Sequence, residues 1–217
     1  MADAAIIFDV DGVLLEMTRA EEDTFFAPFI RRYGLTSLSR DWNSYAIRND
    51  EEIVAEIFAR HDLPRHEQPA VISEYLALLS DVRNPVEVPG TRALLAGLQP
   101  YALGIATANF REAARLRLDQ LGLWSSVEAH AFGAEGGGHK TAILSRTIAS
   151  TGLPSQRIIY IGDNLNDVRA GLENGVHFIG FSREPGRLET LSAAGAALVS
   201  ADHQTTGKIV RDLVQGL

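Results

Sequence analysis

The sequence contains no cysteine, which excludes disulfides, thiolate nucleophiles and cysteine-ligated zinc. Lysine is almost as scarce. Only Lys140 and Lys208 occur, and arginine carries nearly all the positive charge, so the placing of Lys140 is informative. There is no basic stripe to displace counterions from phosphates, and the formal net charge of −8 argues against nucleic acid as a partner. No stretch approaches the ~20 apolar residues of a membrane span, so no membrane partner is expected. Asp3 precedes a short apolar run, Ala4 to Phe8, without the basic start and longer apolar region of a secretion signal. A soluble, cytoplasmic protein is the expectation. No internal repeat or low-complexity segment stands out beyond Gly136–Gly138.

What is present is ordinary in bulk and uneven in detail. A chain of 217 residues, 46% hydrophobic and 22% charged, can bury a substantial core as one or two domains. Ala4 to Val10 is a continuous apolar run that ends in acidic residues and a glycine, and it predicts a buried strand ending at a turn. From about Arg19 to Ser80 the period is helical. Phe25, Phe26, Phe29, Ile30 and Tyr33 form one apolar stripe, Ile53, Val54, Ile57 and Phe58 a second, and Val71, Ile72, Tyr75, Leu76 and Leu79 a third. Asn49 followed by Glu52 resembles a capping box, and Gly34 and Pro64 sit where helices should stop.

After Asn84–Gly90 the pattern switches. Strand-like runs at Ala102–Thr107, Ile158–Gly162, His177–Phe181 and Ala197–Val199, with a shorter one at His130–Phe132, alternate with helical segments. Those segments lie near Thr91–Leu98, Arg111–Leu121, Lys140–Thr151, Leu165–Asn174 and Gln204–Leu213. Such alternation predicts an α/β fold with a doubly wound parallel sheet, ligands at the carboxyl ends of its strands, and a helical insertion after the first strand.

Four signals follow predicted strands. The first is Ile6–Leu15, "IIFDVDGVLL", where a turn at Gly12 would bring Asp11 towards the same pocket as Asp9. Two adjacent carboxylates repel unless a cation lies between them or one is protonated; an isolated "DVDG" fits a strand-end turn equally well. The second is Thr107, Ala108 and Asn109, a hydroxyl and backbone N–H groups that suit a phosphoryl oxygen but are also common helix caps. The third is Lys140, which opens a helix after "GAEGGGH" against the sense of the helix dipole; His139 beside it has the character of a loop residue. The fourth is "GDNLND", with Asp163 and Asp167 on one helical face, as cap and first-turn residues or as ligands of a hard cation. Together, Asp9, Asp11, Asp163 and Asp167 gather negative charge opposed only by Lys140. That arrangement calls for a divalent cation, and Mg²⁺ suits oxygen ligands beside phosphate.

"DVDGVL", a threonine after a strand, a lysine and "GDNLND", in that order, resemble the haloacid dehalogenase superfamily of phosphohydrolases. The resemblance spans essentially the whole chain. The place of the insertion resembles the α-helical cap of the phosphoglycolate phosphatase and β-phosphoglucomutase branch. It implies a Rossmann-like catalytic core of residues 1–15 and 86–217 and an inserted all-α cap of residues 16–85. Asp9 would be the nucleophile and Asp11 the general acid/base. Mg²⁺ would be held by the carboxylates of Asp9 and Asp163 and the main-chain carbonyl of Asp11, with Asp167 supporting the metal through water or Lys140. Thr107 and the N–H groups around Ala108 and Asn109 would hold phosphoryl oxygens, and Lys140 would neutralise charge on nucleophile and phosphate. Within the cap, Arg48 fits either a contact to a carboxylate or second phosphate of the substrate or, more ordinarily, a solvated arginine before a helix cap, and Glu16 and Arg19 lie just beyond the hinge where they could face the cleft.

The sequence departs from the family at Val13, where many members have threonine, and in a glycine-rich segment before Lys140 with no proline after it. Asp11 argues against a dehalogenase, and a cap without lysine excludes a Schiff-base phosphonatase. The implied function is Mg²⁺-dependent hydrolysis of a small phosphorylated metabolite by a monomer or homodimer. The alternatives are a sugar-phosphate mutase and a noncatalytic ligand-binding or regulatory protein on the same fold.

Overall fold

The structure, a computed structural model, describes residues 3–216. In chain order its elements are β1 (Ala5–Phe8), β2 (Leu15–Glu16), α1 (Arg19–Tyr33), α2 (Asp50–Arg60), α3 (Gln68–Asp81), β3 (Val86–Glu87), α4 (Thr91–Gly97), β4 (Ala102–Ala106), α5 (Arg111–Gln120), β5 (His130–Phe132), α6 (Lys140–Thr151), β6 (Ile158–Gly162), α7 (Leu165–Asn174), β7 (His177–Phe181), α8 (Pro185–Ala193), β8 (Leu198–Ser200) and α9 (His203–Gln215). The main sheet runs β5-β4-β1-β6-β7-β8, every pair parallel.

β1 can be apolar throughout because helices cover both faces of the sheet. Ile6 and Phe8 pack with Leu94, Leu118 and Val210 on one side. Ala5 and Ile7 pack with Ile143, Leu144, Val168 and Leu191 on the other. Later strands are added to one side of β1 as β4 and β5 and to the other as β6, β7 and β8, so the topological switch point lies at β1. The residues that follow β4, β1 and β6, namely Thr107, Asp9 and Asp163, therefore line up at one edge of three adjacent strands.

α1, α2 and α3 leave and re-enter this core through the antiparallel pair β2–β3. Phe25 and Phe29 of α1, Ile53 and Ile57 of α2, and Tyr75 and Leu79 of α3 form a separate apolar cluster, which Phe110 and Ala134 of the core join. The predicted stop at Gly34 is a left-handed cap with φ of 69°.

The structure corrects several expectations. The first strand ends at Phe8 rather than Val10, because the Val10 carbonyl accepts from the N–H groups of Val13, Leu14 and Leu15 and pulls the chain into a turn. α8 has only Leu191 fully buried, too weak an apolar stripe to read in the sequence, and the two-residue strands β2 and β3 are too short to read. Half of the expected capping box exists. The Asn49 side chain accepts from Glu52 N–H at 2.8 Å, while the Glu52 carboxylate turns away to accept from Gly138 N–H at 2.9 Å.

Candidate active site

Asp9, just past β1, has its Oδ1 within 2.7 Å of both the Val10 N–H and the Lys140 ammonium. Lys140 occupies the first turn of α6, and its Nζ also lies 3.1 Å from Asp167 Oδ1. Burial alone would push this lysine down; Asp167 and Asp9 outweigh it and hold its pKa above the ordinary value. Asp167 is fixed in turn, accepting from Tyr160 OH at 2.5 Å and Asn164 N–H at 3.0 Å. The cap of α7 is thus Asn164 with Asp167 in a reciprocal capping box, which corrects the reading of Asp163 as a cap.

Asp163 stands free of that cap, beside Gly12. Oxygens of Asp9, Asp163 and Asp167 all lie within 4.8 Å of one another. Burial, followed by Asp167, pushes the Asp163 carboxyl well above the carboxylate range. Burial does the same to Asp9, only partly offset by Lys140. Carboxylates that would otherwise take up protons, with one ammonium against them, form a hard-oxygen donor set that fits Mg²⁺. The residues present are able to hold the ion their fold implies.

Across the site, the Thr107 hydroxyl accepts from Asn109 N–H at 3.2 Å and tightens the turn after β4. Ala108 O accepts from Asp50 N–H at 2.9 Å, and Phe110 N–H donates to Asp50 Oδ2 at 2.9 Å, so the start of α2 is docked on this turn. A cavity of about 180 Å³ is lined by Asp9, Asp11, Arg48, Asp50, Thr107 and Lys140, among others.

A family model described as haloacid dehalogenase-like hydrolase matches residues 6–181. The chain belongs to this family. Among solved structures, the haloacid dehalogenase-like fold is shared with CbbY from Rhodobacter sphaeroides in complex with phosphate (TM-score 0.72, 21% identity, 94% of this chain and 95% of that one). A mutant form of the same CbbY in complex with xylulose-(1,5)bisphosphate is also similar (TM-score 0.70, 20% identity, 94% and 95%). So is a haloacid dehalogenase-like family hydrolase from Streptococcus pneumoniae (TM-score 0.67, 17% identity, 94% and 96%). No curated protein matches the chain. No helix among the described residues is long and apolar enough to cross a membrane.

Of the residues singled out in the sequence, Asp9, Asp11, Thr107, Ala108, Asn109, Lys140, Asp163, Asp167 and Arg48 line this cavity together. Glu16 and Arg19 do not. Glu16 pairs with Arg183 at a second depression behind Gly12, because β2 turns its side chain towards β7's end rather than the cleft. Arg19 opens α1 on the surface, 3.5 Å from Asp23, where i,i+4 pairing holds it outside.

Three charged residues of this haloacid dehalogenase-like site escaped sequence reasoning: Arg117, Glu21 and Asp50. Arg117 Nη1 lies 2.7 Å from Asp11 Oδ1, and its Nε 2.7 Å from Glu21 Oε1. Burial lowers the Arg117 pKa less than Asp11 and Glu21 raise it, so its charge is secure. A signal did exist: Glu21 shares the helical stripe of Phe25 and Phe29, and Arg117 that of Ala113, where a lone charge implies a buried partner.

Proposed function

We propose that the protein is a Mg²⁺-dependent phosphatase that hydrolyses a small organic phosphomonoester through a phosphoaspartate on Asp9. The observation that carries this reading is the Lys140 ammonium bridging Asp9 and Asp167 beside Asp163 on the floor of the cavity. Asp9 attacks phosphorus, and Asp11 gives a proton to the departing substrate oxygen, releasing the alcohol. Water then attacks the phosphoaspartate and passes a proton back to Asp11, which releases phosphate and restores Asp9. Lys140 offsets negative charge on Asp9 and the phosphoryl group, and Thr107 with the Ala108 and Asn109 N–H groups orients the phosphoryl oxygens. Mg²⁺, held by Asp9, Asp163 and the Asp11 carbonyl with Asp167 in support, supplies further neutralisation of the phosphoryl oxygens.

Residues 16–85 act as a cap over this site, with Arg48 facing an anionic group of the substrate. The cavity volume of about 180 Å³ suits a small metabolite. Phosphate and xylulose-(1,5)bisphosphate are bound by CbbY, which supports sugar phosphates as the class to try first.

The test is a panel of pentose, hexose and triose phosphates assayed with Mg²⁺ and with EDTA, alongside Asp9→Asn. Phosphate release that needs Mg²⁺ and falls by at least about a thousandfold in Asp9→Asn is expected. Full turnover by Asp9→Asn would end the covalent mechanism. A hexose phosphate that isomerises without phosphate release would replace hydrolysis by the mutase reaction.

A further inference from the structure

Arg117 lies far along the chain from the groups it holds. Its side chain, 3% exposed, emerges from the buried face of α5. Nη1 donates to Asp11 Oδ1 at 2.7 Å, Nε to Glu21 Oε1 at 2.7 Å, and Nη2 to the Glu16 carbonyl at 3.0 Å. Glu21 is anchored in turn, its Oε2 accepting from both Thr18 N–H and Thr18 OH at 2.7 Å. A guanidinium is a rigid planar fork, so bonds at three nitrogens fix its plane and hence the direction in which it holds the Asp11 carboxylate. Glu21 alone would neutralise a buried arginine; the bond to Asp11 is additional. No other hydrogen bond reaches the Asp11 carboxylate among the described residues.

We propose that Arg117 is a positioning residue for the proton-transferring carboxylate of Asp11, anchored by Glu21 and the Glu16 carbonyl so that the aim of Asp11 depends on where β2 and α1 sit against the core. The proposal rests on the phosphatase reading above. In the first half-reaction the bond between phosphorus and the substrate oxygen breaks, a bond to Asp9 forms, and the proton from Asp11 goes to the departing oxygen. An alkoxide needs that proton; a dinitrophenolate does not. Misaiming Asp11 therefore slows alkyl esters selectively, which loosening α1 from α5 would not.

The experiment measures single-turnover alcohol or phenol release from an alkyl phosphate and from dinitrophenyl phosphate. Arg117→Met should slow the alkyl ester about tenfold to a hundredfold and the aryl ester by less than about threefold, since general acid catalysis contributes about 10²–10⁴ in rate. Arg117→Lys, which can meet only part of this set, should recover some of the alkyl rate. Arg117→Met leaves Glu21 buried and unpaired, so the Arg117→Met/Glu21→Gln double variant serves if the single one folds poorly, with the same asymmetry expected. Asp11→Asn is the reference. If it shows the asymmetry and the Arg117 variants slow both esters equally or neither, the positioning role is overturned. If Asp11→Asn itself shows none, the acid role of Asp11 fails and the inference fails with it.

Discussion

Gly12 sets the place of the Asp163 carboxylate, the metal ligand proposed above. Its φ is +78°, and a Cβ there would stand 2.5 Å from Asp163 Oδ2. Gly12→Ala therefore adds about 1–2 kcal/mol of left-handed strain and displaces Asp163. A rise of about tenfold or more in the Mg²⁺ concentration for half-maximal activity is expected, on the scale seen when groups around a metal site are disturbed. An unchanged Mg²⁺ titration would mean that Asp163 is not a ligand. At this scale the sequence was informative wherever a candidate residue follows a buried strand, as Asp9, Thr107 and Asp163 do. It was silent where the site is built by pairing at a distance. Arg117 and Glu21 are 96 residues apart, and a charge on an apolar stripe announces that it has a partner without saying which.

Among the elements, the segment before α6 and the amino end of α2 form a matched pair. Gly136, Gly137 and Gly138 all have positive φ, at 85°, 65° and 86°. Gly137 N–H donates to Glu51 Oε2 at 2.7 Å and Gly138 N–H to Glu52 Oε1 at 2.9 Å. The Asn49 amide donates to Gly138 O at 2.5 Å. Glu51 and Glu52 also suit the positive end of α2. Glu51→Ala/Glu52→Ala should speed hydrogen exchange at Gly137 and Gly138 by about tenfold or more, because bonds to charged acceptors contribute about 1.5–3 kcal/mol. Exchange at the wild-type rate, read by mass spectrometry, would mean that Glu51 and Glu52 do not hold this segment. The glycine run was visible in the sequence as a departure from its family; its partners were not, being 86 residues away. By contrast α6 and α7 were legible to the residue, since Lys140–Thr151 and Leu165–Asn174 carry apolar stripes ended by Gly152 and Gly175.

For the whole molecule, the buried acids make stability depend on pH. Burial pushes Asp50 from an ordinary 3.8 to about 7, with Phe110 N–H offsetting part of it, and Asp11 and Glu135 adding to the rise. Asp9 and Asp163 are raised as well. The folded chain thus keeps protons that the unfolded chain has already released, and the metal-free protein loses stability as pH rises from about 3.8 to about 8. If Mg²⁺ binds as proposed, it displaces protons from Asp9 and Asp163, and the gain in melting temperature on replacing EDTA with Mg²⁺ should grow across that range. A difference on the order of 5 °C between its ends is expected in thermal melts. A gain that shrinks with rising pH would show that these carboxyls do not bind the ion. The order of the strands has a wider consequence. β4, β1 and β6 are hydrogen-bonded neighbours, so Thr107, Asp9 and Asp163 start from backbones spaced by the ~4.8 Å interval of any sheet. That interval is a ruler no side chain can rewrite, which leaves Trp42 and Arg48, on the inserted helices' side of the cavity, as positions that can change without moving the backbones of Thr107, Asp9 and Asp163.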